Sequence, residues 1–311
     1  MENKILGLHH ITAIAGNAKR NYDFYTKVLG LRMVKKTVNF DDPGTYHFYF
    51  GDEQGTPGSI LTFFPWEGIG AGKTGTGMAT DIAYSVPQGS LEFWEDRFKQ
   101  FDVKHGIIGE SFGEQFLSFS DPDGLKINLV VPGKIDTRLP WTTNEVSANE
   151  ATKGFHGIVL TLKNIKGTAE VLTDIFGYKL LSQEGNRYRF ITDAIENAAI
   201  VDLVESPDEK AGINAAGTNH HVAFRVQNED ILMSYREKIA GKGLSITPKI
   251  DRDYFFSLYF REPGGVLFEL ATDNPGFAVD EKPEELGTTL KLPKQYEQYR
   301  SKIEGTLSKL N

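Results

Sequence analysis

The chain has 311 residues, carries a formal net charge of −8 and contains no cysteine, which excludes disulfides, thiolate metal sites and cysteine nucleophiles. The acidic balance without a basic tract argues against a nucleic-acid partner, and no apolar run approaches the roughly 20 residues of a membrane helix. The N-terminus also lacks a secretory signal, so we expect a cytoplasmic protein. The charge pattern favours a small molecule as its partner.

Four segments repeat one order of signals over roughly 50 to 60 residues: an apolar strand, an amphipathic helix and three short strands. We number them modules 1 to 4, and they begin at Leu8, Met78, Gly154 and Asn219. The pattern predicts an α+β fold of four βαβββ modules. We expect them to form two domains of curled mixed sheets.

The length favours more than one domain, and residues 132–152 are polar with proline and glycine but no clear period. We therefore predict an N-terminal domain of modules 1 and 2 at residues 1–135, and a C-terminal domain of modules 3 and 4 at residues 150–275. Residues 276–311 would form a tail. Its apolar residues lie at helical spacing after Pro293, which predicts a terminal amphipathic helix docked on the body or on another subunit.

Two pairs of adjacent histidines open the first strands of modules 1 and 4, and Glu269 lies inside an apolar strand of module 4. A buried carboxylate is costly unless it is paired, so histidine and glutamate together suggest a metal site. Neighbouring side chains of a regular strand face opposite sides. We therefore expect one histidine of each pair to be a ligand. The unpaired histidines, His47 and His105, are interpreted as ordinary polar or surface residues.

Alignment of the four modules by their strand and helix signals places one set of residues at an equivalent position of the first strand: His10, Asp81, His156 and His221. It places another set at an equivalent position of the last strand: Phe63, Asn128, Asp202 and Glu269. Two modules are expected to form one cleft, to which each contributes one residue of each set.

The alignment leaves two clefts open. Modules 3 and 4 would supply four candidate ligands, His156, Asp202, His221 and Glu269. Modules 1 and 4 would supply His10, His221 and Glu269, with Phe63 in the fourth place. The second set is the two-histidine, one-carboxylate triad of Fe(II) oxygenases, whereas the first suits a more closed metal site.

Several motifs between Leu8 and Thr289 are specific in combination: Leu8-His-His-Ile-Thr12, Tyr46-His-Phe-Tyr-Phe50, Gly55-Thr-Pro-Gly58, Gly154-Phe-His156, His220-His-Val-Ala-Phe224, Arg252-Asp-Tyr-Phe255 and Pro263-Gly-Gly-Val-Leu-Phe-Glu269. In these motifs the chain resembles the vicinal oxygen chelate superfamily, and within it the ring-cleaving dioxygenases that act on hydroquinones.

The resemblance implies that modules 1 and 4 form the cleft and that His10, His221 and Glu269 hold Fe(II), with Mn(II) or Zn(II) as other options. It implies roles around the substrate for five further residues, His9, Thr12, His220, Arg252 and Tyr259, and a structural role for His156. The implied reaction is extradiol-type cleavage of a small aromatic substrate with insertion of both atoms of O2. A homo-oligomer is compatible with this interpretation.

Two other functions fit the same superfamily. One is a glyoxalase-like metal-dependent lyase or a thiol transferase, against which Phe63 in the fourth ligand place argues. The other is a non-catalytic metabolite-binding relative, against which retention of all three ligands argues.

Overall fold

The computed structural model describes residues 4–310. Module 1 contains β1 (Leu8–Ala15), α1 (Ala18–Asp23, continued by the π-helical turn Phe24–Val28), β2 (Arg32–Val38), β3 (Tyr46–Gly51) and β4 (Ile60–Pro65). Module 2 contains β5 (Met78–Ser85), α2 (Leu91–Gln100), β6 (Gly109–Ser111), β7 (Glu114–Ser120) and β8 (Lys126–Val130).

Module 3 contains β9 (Phe155–Leu162), α3 (Lys166–Glu170, continued by the π-helical turn Val171–Ile175), β10 (Lys179–Glu184), β11 (Arg187–Ile191) and β12 (Ile200–Glu205). Module 4 contains β13 (Thr218–Val226), α4 (Glu229–Gly241), β14 (Ile250–Asp251), β15 (Phe255–Arg261) and β16 (Leu267–Pro275). The predicted βαβββ order is confirmed in all four modules.

The strands form two curled eight-stranded sheets. One sheet has the order β14-β15-β16-β13-β1-β4-β3-β2, and the other has the order β10-β11-β12-β9-β5-β8-β7-β6. Module 1 therefore shares a sheet with module 4, and module 2 shares one with module 3. The first strands of the paired modules meet antiparallel at the centre of each sheet. Both sheets thus cross the expected boundary between residues 1–135 and 150–275.

The central strands of the sheet from modules 1 and 4 present alternate side chains to two apolar clusters. One face joins the large core that includes the helices, with residues such as Ile11, Phe63 and Phe224. The other, inner face carries a smaller cluster that includes Tyr49 and Phe255. The candidate metal ligands lie on this inner face.

The tail docks on module 1. Two 3-10 turns, Phe277–Val279 and Pro283–Glu285, are followed by the 3-10 helix Lys294–Tyr299 and by α5 (Arg300–Thr306). Leu292, Ile303 and Leu307 bury their side chains against Val38 at the end of β2. No helix within residues 4–310 is long and apolar enough to cross a membrane.

Candidate metal centre

The first histidine pair lies at a β-bulge in β1. Leu8 lies opposite Phe224 of β13 and His10 lies opposite the next residue, Ala223, so His9 is an extra residue without its own partner. A bulge of this kind places two residues of one strand opposite one residue of the other and interrupts the alternation of side chains.

The second pair lies at the matching bulge in β13. Thr12 lies opposite His221 and Ala13 lies opposite Asn219, so His220 is the extra residue here. The two bulges are related by the approximate symmetry between modules 1 and 4. This symmetry brings both pairs to the centre of the sheet.

Because of the bulges, both rings of a pair lie on the same side of the sheet. His9 Nδ1 is 2.9 Å from His10 Nδ1, and the ring centroids of these two histidines lie 5.2 and 5.0 Å from that of Phe255. His220 Nδ1 is 2.7 Å from His221 Nδ1. The expectation that the two members of a pair face opposite sides is therefore wrong, although only one member of each reaches Glu269.

His10, His221 and Glu269 converge on one point. Their possible ligand atoms all lie within 4.8 Å of one another, and all three side chains are buried. Glu269 Oε2 is 3.1 Å from His10 Nε2 and 2.9 Å from His221 Nε2. Burial raises the pKa of Glu269, but the two imidazoles outweigh it and hold that pKa well below its usual range, so the carboxylate is ionised.

The hydrogen bonds of Glu269 leave room for a cation. The Ser257 hydroxyl donates to Oε1, whereas Oε2 makes no well-aligned hydrogen bond despite its two short contacts. A buried carboxylate oxygen in this state is costly. A metal ion shared with the two imidazoles would satisfy it, so these residues fit a metal held by two nitrogens and one oxygen.

The surroundings of His9 determine the proton position on His10. His9 Nε2 lies 3.1 Å from the carbonyl oxygen of Thr272, which can only accept, so Nε2 carries the hydrogen. Burial and the adjacent His10 hold the pKa of His9 well below its usual value, so its Nδ1 is a neutral acceptor. His10 then donates from Nδ1, which leaves Nε2 as the ring nitrogen that can bind a metal.

His220 has a different environment from His9. Its ring is half-buried and lines the cavity in front of Glu269. Burial and then His221 lower the pKa of His220 to about 4, so it is neutral near pH 7. If His221 donates from Nδ1 to His220, in the same way as in the first pair, His220 carries its own hydrogen on Nε2.

The structure places Thr62 at the position equivalent to Glu269. Thr12 lies opposite Thr62 in the pairing of β1 with β4, and Ala223 lies opposite Glu269 in the pairing of β13 with β16. Thr12 follows His10 by two residues, and Ala223 follows His221 by two residues. The two registers therefore match, and the predicted equivalence of Phe63 with Glu269 is wrong by one residue.

Phe63 points to the opposite face of the sheet, where its ring centroid lies 4.6 Å from that of Tyr25 in the large core. The hydroxyl of Thr62 faces the cleft instead and is 2.8 Å from the hydroxyl of Thr12. The fourth place of the site therefore holds an alcohol and not a phenyl ring.

The equivalence of His156 with His10 is also wrong by one residue. Val159 lies opposite Asp202 in the pairing of β9 with β12, so the counterpart of the ligand histidines is Gly157. His156 is the bulged residue of β9 and corresponds to His9. Module 3 thus has a glycine where modules 1 and 4 have an imidazole.

Arginine side chains fill the corresponding cleft of the second sheet. His156 Nε2 is 2.9 Å from Glu114, which also accepts from Arg189 Nη1 at 2.6 Å. Asp202 is paired with Arg189 Nε at 2.9 Å and with Arg187 Nη2 at 2.6 Å. The set proposed for modules 3 and 4 is therefore not brought together, because His156 and Asp202 lie in another sheet.

A cavity of about 350 Å³ lies in front of the three candidate ligands. Aromatic side chains contribute much of its wall: Phe40, Phe64, Trp66, Phe255 and Tyr259. Cavities of this size and lining suit small aromatic molecules, since flat rings pack well on aromatic faces.

Arg252 supplies a positive charge to the same cavity. Its guanidinium lies 5.6 Å from the ring of Phe40 and 5.5 Å from that of Tyr259, and Nη1 is 3.7 Å from the Asp41 carboxylate. Burial lowers the pKa of Arg252, but Tyr259 and nearby carboxylates outweigh it. Burial and Glu269 raise the pKa of Tyr259, which therefore keeps its proton.

His47 also lines this cavity, contrary to its interpretation as an ordinary polar or surface residue. Its Nδ1 is 2.9 Å from the Tyr49 hydroxyl and its Nε2 is 3.0 Å from Thr62 Oγ1. The available signal was its place in β3, two residues before Tyr49 and on the same face. Only the sheet shows that this is the inner face.

Comparisons with known proteins identify the family of the chain. The sequence model of the Glyoxalase/Bleomycin resistance protein/Dioxygenase superfamily matches residues 7–129 and 80–270. The chain is 47% identical over 308 residues to a Bacillus subtilis protein named "Putative ring-cleaving dioxygenase MhqO", which covers 98% of this chain and 96% of that protein. It is 33% identical over 314 residues to the "Chlorohydroquinone/hydroquinone 1,2-dioxygenase" of Sphingobium indicum, with 99% and 98% covered.

A solved structure is also similar over nearly the whole chain. The crystal structure of a "putative dioxygenase" from Bacillus subtilis superposes with a TM-score of 0.95 and 44% sequence identity, covering 99% of this chain and 98% of that one. The predicted fold class is confirmed by this likeness.

Proposed function

The chain belongs to the Glyoxalase/Bleomycin resistance protein/Dioxygenase superfamily, and from that premise we propose that it is an Fe(II)-dependent enzyme that cleaves hydroquinone-like rings with O2. The observation that supports this most is the convergence of His10, His221 and Glu269 in front of an aromatic-lined cavity. Two neutral imidazoles and one carboxylate form the ligand set of non-haem Fe(II) oxygenases.

When bound by these residues, Fe(II) supplies a Lewis-acidic, redox-active centre for an ionised phenol and O2. Arg252 remains charged and contributes to the cavity wall, so it stabilises negative charge on a substrate oxygen. Tyr259 keeps its proton and can donate a hydrogen bond to the substrate. The reaction inserts both oxygen atoms and opens the ring beside a hydroxyl.

The two outer histidines have different roles in this proposal. His9 donates to a backbone carbonyl and holds His10 in the tautomer that binds metal. His220 borders the cavity and offers its Nε2 hydrogen to a substrate oxygen. Thr12 is oriented by its bond to Thr62 beside the ligands.

Oxygen uptake tests the reaction. Protein loaded anaerobically with Fe(II) should consume one O2 per ring with hydroquinone or methylhydroquinone, and the product should gain the mass of two oxygen atoms. Catechol serves as the comparison substrate. Turnover of a thiol hemiacetal without oxygen uptake on any aromatic would contradict the proposal and favour a glyoxalase-like lyase.

The ligand set has a separate test. His10→Ala should abolish stoichiometric binding of Fe(II), measured by metal analysis after gel filtration, because it removes one of three ligands. His156→Ala is the matched control and should bind normally, since His156 lies in the other sheet. Loss of iron from the control alone would move the site to modules 2 and 3.

A further inference from the structure

Two loops of module 1 line the cavity, and the largely exposed Asp41 shows that this part of the wall lies at the protein surface. Residues 39–45, here called the mouth turn, supply Asn39, Phe40 and Asp41 to the wall. The second loop follows β4 and supplies Trp66. Asp42 of the mouth turn accepts a hydrogen bond from Trp66 Nε1 at 3.1 Å. The two loops are thus joined directly beside the cavity.

The C-terminal tail contacts both loops. The Tyr296 hydroxyl donates to the carbonyl oxygen of Phe40 at 2.7 Å. The Ser308 hydroxyl donates to Glu67 Oε1, the residue after Trp66, at 2.8 Å. The tail therefore contacts both of the loops that line the cavity.

The tail is itself firmly attached to β2, the strand that leads into the mouth turn. Lys291 donates its backbone N–H to the carbonyl of Lys36 at 2.9 Å. The buried side chains of Leu292 and Ile303 pack against Val38, which directly precedes the turn. An anchored segment of this kind can hold the turn in one position.

We propose that the tail sets the width of the cavity mouth and so selects ring substituents by size, with Tyr296 as the positioning residue. The identity of the ring rests on the proposed function, whereas the position of the mouth turn does not. Phe40 also lies against Arg252, so a shift of the turn moves a neighbour of the charged group in the cavity.

Tyr296→Phe removes only the hydroxyl that holds Phe40. The matched control is Tyr299→Phe in the same 3-10 helix, where the side chain is 53% exposed. Quenching by acrylamide reports on the mouth without any substrate or metal, because Trp66 lies in its wall. Each protein is compared with its own Trp66→Phe counterpart to isolate that signal. We expect quenching of Trp66 to increase by about twofold in Tyr296→Phe and to stay unchanged in the control.

The kinetic readout uses hydroquinone and tert-butylhydroquinone. Tyr296→Phe should reduce the preference in kcat/KM for the smaller ring by about threefold to tenfold, a change of the size that one hydrogen bond supports. The change should lie in KM, with kcat for hydroquinone preserved.

Unchanged Trp66 quenching in Tyr296→Phe overturns the inference, whether or not the protein is a dioxygenase. The same holds if quenching increases but size preference matches that of Tyr299→Phe in an active enzyme. Absence of all activity in the wild type, together with increased quenching, would instead reject the proposed function while supporting the role of the tail at the mouth.

Discussion

At the scale of single residues, the two histidine pairs share a sequence but not an environment. His9 is buried and bonded to a backbone carbonyl, and its other ring nitrogen contacts His10, so we propose that it acts on the site through His10. His220 is half-buried and open to the cavity. His9 and His220 occupy matching positions in the two pairs, but they differ in exposure. His220 can therefore contact a molecule in the cavity, whereas His9 cannot.

His9→Phe tests the supporting role. It removes the acceptor for His10 Nδ1–H, so the affinity for Fe(II) should fall by about 10- to 100-fold, as for other residues that orient metal ligands. Competition with a chelator measures this change. His105→Phe, remote from the cavity, should bind Fe(II) like the wild type, and equal affinity in both variants would contradict the role of His9.

Asp121 should make stability depend on pH. Its Oδ1 accepts the backbone N–H groups of Asp123 and Leu125, and Tyr25 donates to Oδ2. Burial raises the pKa of Asp121 to about 6, whereas an unfolded aspartate has a pKa of about 3.9. Its stabilising contribution is therefore complete below about pH 4 and is lost as the pH rises through about 6.

Asp121→Asn should remove this dependence. The free energy of unfolding of the variant minus that of the wild type should rise by on the order of 3 kcal/mol from pH 4 to pH 7. Urea titrations at several pH values measure it. The exposed Asp208→Asn should show no such trend, and parallel curves for Asp121→Asn and the wild type would reject the assignment.

At the scale of elements, bulges decide which side chains enter each cleft. One extra residue in β1 and one in β13 place His10 and His221 on the inner face with Glu269. The same bulge in β9 places Gly157 at that position. Two sheets with the same architecture therefore differ in the side chains that they bring to this position.

Gly157 is required by packing in its strand. A Cβ at this position would lie 2.8 Å from the carbonyl oxygen of Ile200, so Gly157→Ala should destabilise the protein by about 1 to 3 kcal/mol. Chemical unfolding checks this value. The comparison is Gly241→Ala at the end of α4, where a Cβ meets open space and the substitution should stabilise slightly. Equal effects of the two substitutions would contradict the packing argument.

At the scale of the whole molecule, one sheet joins the first and the last module of the chain, and the tail returns to module 1. Lys35 of β2 is fully buried, with Nζ 2.6 Å from Asp280 and in contact with the Glu281 carboxylate. It also lies 4.7 Å from the ring of Tyr254. This ion pair fastens the start of the tail to the sheet that carries the candidate metal site.

Lys35→Ala should cost about 3 to 5 kcal/mol, because it leaves Glu281 buried without its partner. The double variant Lys35→Ala/Glu281→Leu should recover part of the loss in thermal or urea unfolding. Removal of a surface lysine, Lys19→Ala, should change stability by less than about 1 kcal/mol. A double variant less stable than Lys35→Ala would contradict this account of the pair.

The sequence by itself determined the four modules and limited any metal ligands to nitrogen and oxygen donors, since apolar periodicity and residue chemistry are local properties. It left two clefts open, and the resemblance, not the pattern, favoured modules 1 and 4. The structure decided which modules share a sheet and which histidine of each pair reaches Glu269. Backbone hydrogen bonds between distant strands do not depend on side-chain identity, and a bulge of one residue changes the face on which a side chain lies. For that reason Phe63, His156 and His47 could be placed only in the folded chain.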